Sequence, residues 1–127
     1  MTRRLLMSVL AGLVGLANLA SLAGCASDPH SPMRAAYDDY WSCASRAVRP
    51  YIDQRELTSR EAAMRAQAHC NASYRKYRDM QIAVVRSAVP PDSYDMADQL
   101  GAQQALVWRR RVTQALDDYV RRVRSGS

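Results

Sequence analysis

The sequence predicts an all-α fold, a three-helix bundle or a long helical hairpin packed with a short first helix. Three observations lead there. Phe is absent and Val and Ile are few beside Ala, Leu, Met and Arg, a composition that favours helix over sheet. Apolar residues recur at helical intervals over three long stretches, and Thr58, Pro50 and Pro90-Pro91 punctuate them where helices should start or stop. The chain has 127 residues, of which 1–24 read as a removable export segment. The remainder suits one domain with a modest core and excludes a large two-lobed catalytic scaffold.

The elements follow in chain order. Arg3 and Arg4 form a positive n-region, and an uncharged apolar stretch from Leu5 to Leu22 leads into Leu22-Ala23-Gly24-Cys25. This segment resembles a bacterial lipoprotein signal with its lipobox. The resemblance covers these residues alone, and the rest of the chain resembles no family. It implies that Cys25 receives a diacylglyceryl thioether and becomes the first residue after cleavage, and that Ala26 behind it fits transport to the outer membrane. Two other readings of the segment stand beside it. Leu5 to Gly24 is long enough to remain as an uncleaved membrane anchor, and ordinary cleavage could follow Ala26. In each case Arg3 and Arg4 stay cytoplasmic and the rest of the chain is exported.

Residues 25–31 are expected to be a short tether, spanning at most about 20 Å and holding a single helical domain, 32–127, close to the lipid. In that domain Ser31 is a candidate N-cap with Pro32 at the first helical position. Met33, Ala36, Tyr37, Tyr40, Cys43, Ala44, Ala47 and Val48 then share a helical stripe. Pro50 should stop or kink this first helix. Thr58 and Glu61 make a capping box that opens a second helix of about 30 residues, with Ala63, Ala66, Cys70, Tyr74, Tyr77, Val84 and Ala88 on one stripe. Beyond Pro90-Pro91, Asp92 or Ser93 can cap a third helix whose apolar face includes Ala97, Leu100, Ala105, Trp108, Val112, Leu116, Tyr119 and Val123. Gly101 should soften it. A variant in which the second and third helices protrude past the first fits the same lengths.

With Cys25 assigned to lipid, Cys43 and Cys70 remain, and in an exported protein such a pair is most simply a disulfide. If the first helix kinks at Pro50 and resumes to Glu56, both cysteines lie about 18–20 Å from the turn. They would then stand level across an antiparallel hairpin, which favours the kinked form.

The search for chemistry is mostly negative, and no enzyme is expected. His30 sits in the tether, and His69 adjoins Cys70 but points about 100° away on a helix, so a nucleophile pair is not favoured. Cys43, Cys70 and His69 are three metal candidates without Cys-x-x-Cys or His-x-x-x-His spacing. There is no haem motif, phosphate loop or nucleophile elbow, and no cofactor is implied. Asp38-Asp39 and Asp117-Asp118 splay from their helices as solvated pairs.

Two features suggest binding. Residues 25–127 carry sixteen basic and twelve acidic side chains, and six of the arginines fall in residues 101–127 against Asp117 and Asp118. Trp108, Arg109, Arg110 and Arg111 thus form a candidate partner or headgroup face, against the plainer reading of a solvated helix whose last arginines offset its dipole. Trp41 falls off the apolar stripe of the first helix and is the second candidate. The function expected is a lipid-anchored, non-enzymatic envelope module, facing the periplasm from the outer membrane and binding a protein partner or surface, with no nucleic acid. The alternative is a periplasmic metal or redox protein using Cys43, Cys70 and His69.

Overall fold

The structure, a computed structural model, describes residue 28 and residues 30–126. The export segment and Cys25 lie outside the described residues. Among the described residues four helices and two short 3-10 turns follow one another: α1 His30–Ala47, a turn at Arg49–Tyr51, α2 Ser59–His69, α3 Asn71–Arg86, a turn at Pro91–Ser93, and α4 Tyr94–Ser125. The all-α class and the bundle are as the sequence predicts. None of these helices is long and apolar enough to cross a membrane.

α1 opens at His30, one residue before the expected cap. Its first turn is held by Asp28, whose carboxylate accepts the His30 N–H at 3.0 Å. The expected continuation past Pro50 does not form. α1 ends at Ala47, Arg49–Tyr51 makes one 3-10 turn, and the chain reaches α2 through a loop. Pro50 lacks the amide that another α-turn would need, and the Tyr51 N–H bonds Val48 O instead.

α2 starts as predicted. The Thr58 hydroxyl accepts the Glu61 N–H at 3.1 Å, and the Glu61 carboxylate accepts the Thr58 N–H at 2.8 Å. The two hydrogen bonds from Thr58 hold the Glu61 carboxyl below the usual carboxylate range.

The single 30-residue second helix is a further correction, because the chain breaks at Cys70, with φ −106° and ψ 20°. No proline or glycine marks the break. His69, Cys70 and Asn71 are all weak helix formers, and Cys70 is bonded to Cys43 at a Cα–Cα distance of 5.9 Å. The offset directs α2 chiefly onto α4, whereas α3 packs against both α1 and α4.

The disulfide predicted between Cys43 and Cys70 is present. The two residues do stand level, although the kinked helix used to place them there does not exist. Around them the core joins Ala36, Tyr40, Ala44 and Val48 of α1 and its end to Ala62, Ala63 and Ala66 of α2. Tyr74 and Tyr77 of α3, and Ala105, Val112, Leu116 and Val120 of α4, complete it.

α4 runs antiparallel to α2 and α3 and so parallel to α1. Arg86 and Asp98 pair near one end, and Arg124 reaches the loop after α1 at the other. The α3–α4 hairpin extends past the start of α1, which is the protruding variant. Gly101 is what lets these helices meet: a Cβ there would lie 2.7 Å from Ile82 Cα. Gly101 is thus a contact point rather than a soft spot.

Candidate binding surfaces

Trp41 and Trp108, read from sequence as separate candidates, come to the same α1–α4 seam. Trp41 lines a cavity of about 360 Å³ with Ser45, Arg49, Leu116 and Tyr119. Trp108 lines one of about 270 Å³ with Met33, Tyr37, Tyr77 and Gln81. Both indoles are 39% exposed, as is Tyr119, so the seam presents aromatic faces to solvent. The ring of Tyr37 meets Trp108 edge-on at 5.5 Å and Tyr77 at 5.3 Å, and the Arg111 guanidinium lies 4.6 Å above Trp108. The aromatic wall is therefore fixed in place by the core on one side and by a cation on the other. The seam exists because α1 and α4 pack on α2 and α3 more than on each other.

Arg109 departs from the expected partner face. Its guanidinium turns inward, lying 4.5 Å from the Tyr74 ring and donating to Gln67 Oε1 at 3.3 Å and Asn71 Oδ1 at 3.1 Å. α4 carries residue 109 over the α2–α3 junction, where the break leaves polar groups to satisfy. Gln67 is the centre of that network. Buried at 3% exposure, it accepts the Tyr40 hydroxyl at 2.6 Å and donates to Thr113 and to Arg109 O, which joins α1, α2 and α4. Sequence reading passed over Gln67, although a glutamine on the Ala63, Ala66, Cys70 stripe was the available signal.

Arg110 stays outward, exposed on the α2–α4 side together with Arg60, Met64 and Arg121. Arg124, expected only to offset the helix dipole, reaches across to the loop between α1 and α2. Its guanidinium donates to the carbonyls of Tyr51, Ile52, Gln54 and Leu57 at 2.8–3.0 Å. The Asp117-Asp118 pair, expected to be solvated, is bridged by Arg121, which meets Asp117 at 3.3 Å and Asp118 at 2.6 Å.

His69 is exposed and its Nε2 lies 2.6 Å from the Tyr51 hydroxyl. Metal ligation by Cys43 and Cys70 would need free thiolates, whereas the two sulfurs are bonded to each other. Among the described residues no three His, Cys, Asp or Glu side chains gather as a metal site.

The charge is divided along the bundle. Segments 44–69 and 110–126, which form the end remote from His30, hold ten arginines and five carboxylates. The other described residues hold six basic and seven acidic groups. The excess thus gathers on α2, its preceding loop and the last half of α4, a wider area than the third helix alone.

The fold and these surfaces define a small, disulfide-stapled helical bundle with an aromatic seam and a basic end. Comparison with protein-family models, with curated proteins and with solved structures finds no match.

Proposed function

We propose that this protein is a lipid-anchored envelope module, non-enzymatic, that docks a partner protein in the seam between α1 and α4. The observation that carries the reading is the alignment of Trp41, Trp108 and Tyr119, each partly exposed, along one side of the bundle. Exposed aromatic side chains held at low entropic cost are the usual anchors of protein interfaces. The anchor is the acylated Cys25 implied by the lipobox, and the outer membrane, periplasmic side, is the proposed location. α1 begins five residues beyond Cys25, so the bundle would stand directly on the lipid surface.

Intact mass of the membrane-extracted protein tests the anchor. A diacylglyceryl adduct on Cys25 is expected, and an unmodified residue 25 or a retained export segment would reject it. For the docking face, a photo-crosslinking residue placed at Trp41 or Tyr119 in cells should yield one defined protein adduct, lost in the Trp108→Ala protein. Crosslinks only from positions outside the seam would remove that face from consideration.

A further inference from the structure

On the far side of α4 from the aromatic seam, α2 and α4 enclose a cavity of about 440 Å³ lined by Arg60, Met64, Arg110, Asp117 and Arg121. Arg60 and Arg110 make no side-chain hydrogen bond or ion pair among the described residues, whereas Arg121 is already engaged by Asp117 and Asp118. Two unpaired guanidiniums and one partly neutralised therefore converge on one hollow. Planar guanidinium forks suit carboxylates and phosphates alike. The surroundings separate the two. The hollow continues along the same groove to Met64 and Leu106, which are 56% and 44% exposed and border a second cavity with Arg110. A ligand filling both has an apolar group beside its anionic one, and the flexible thioether of Met64 can adapt to that group. The Asp117 carboxylate is already occupied, accepting the Ser59 hydroxyl on one oxygen and the Arg121 guanidinium on the other. Inorganic phosphate has no apolar group to cover Met64 and Leu106, whereas a peptide can set an apolar side chain there beside its carboxylates.

We infer that the α2–α4 groove is a second binding site, for an acidic peptide segment of a partner protein with an apolar residue next to its carboxylates. The inference stands apart from the aromatic seam, since it uses the opposite side of α4 and needs neither Trp41 nor Trp108.

The test is an NMR titration of the isotope-labelled full-length protein in detergent micelles. The probes are the peptide acetyl-Glu-Glu-Leu-Glu-Glu-amide, its all-Gln counterpart acetyl-Gln-Gln-Leu-Gln-Gln-amide, and inorganic phosphate. Saturable shifts centred on the amides of Met64, Arg110 and Thr113 are expected with the Glu peptide, weakening as salt is raised. Arg60→Gln or Arg110→Gln should each weaken that binding about tenfold. Both side chains are exposed and unpartnered, so the variants should keep native helicity, checked by circular dichroism. Arg110→Glu should transfer the preference to acetyl-Lys-Lys-Leu-Lys-Lys-amide. Equal response to the Glu and Gln peptides, shifts scattered over the whole surface, or phosphate saturating the same amides as tightly as the Glu peptide would each overturn the assignment.

Discussion

The guanidinium of Arg124 donates to four carbonyl oxygens of the segment 51–57, which has no regular ladder of its own to satisfy them. Arg124→Ala should lower stability by about 2 kcal/mol, given the partial solvent access of the site. In a domain of this size that is on the order of 10 °C in melting temperature. Arg124→Lys should recover less than half of the loss, because a single ammonium cannot reproduce the planar fork. A thermal melt unchanged by either substitution would show the loop to be held otherwise. The tyrosines make a second prediction. Burial first, then neighbouring tyrosine hydroxyls, pushes Tyr77 up to about 12, and burial raises Tyr37, Tyr40 and Tyr74 as well. The folded state then keeps protons that the unfolded chain, with tyrosine at 10.0, releases. Their stabilising contribution is complete below pH 10 and is lost as pH rises through 12. Denaturant melts should weaken across that window, and absorbance at 295 nm should reveal a late group of tyrosines that disappears on unfolding. Stability flat from pH 9 to 11.5 would contradict this. The core tyrosines were readable from their i, i+3 spacing. The role of Arg124 was not, since its partners lie about 70 residues away in a loop without periodicity.

Where α3 meets α4, the backbone of Ile82 occupies the space a side chain at 101 would take. Gly101→Ala should therefore force the helices apart and cost about 1–3 kcal/mol, in spite of alanine's better helix propensity. A more stable Gly101→Ala protein would mean that the hairpin can open there freely. The bidentate Arg86–Asp98 pair closes the same hairpin nearer its tip, and its hydrogen bonds hold the Asp98 carboxyl below its ordinary range. Element by element, the start of α2 was legible because a capping box is a local signal. The interruption at Cys70 was hidden because the amphipathic stripe continues across it: Ala66, Cys70, Tyr74 and Tyr77 are all buried on either side of the break. Periodicity reports which side of a helix faces the core, and a small offset of the axis leaves that pattern intact. Arg109 was misplaced for the same reason, as the polar network it joins is created by the break.

Over the whole molecule, the Cys43–Cys70 bond closes a 27-residue loop holding the end of α1, the connecting turn and α2. By the chain-entropy relation this stabilises by roughly 3.5 kcal/mol. Reduction, or Cys43→Ser with Cys70→Ser, should lower the denaturation midpoint accordingly, and an unchanged midpoint under reductant would deny the bond that role. Its pairing could be read from the cysteine count and the export segment. The basic end and the aromatic seam could not, because both are assembled from helices that meet only in three dimensions. The orientation of the chain carries one more consequence. α1 and α4 run the same way, so the N-terminus leaves at one end of the bundle and the C-terminus at the other. Pulled between those ends, the helices slide past one another in shear instead of peeling apart turn by turn. The covalent bridge carries load from Cys43 directly to Cys70 and shields the segment between them from extension. In single-molecule stretching, the oxidised protein should unravel to a contour shorter than the reduced one by about 90 Å, the length of that shielded loop.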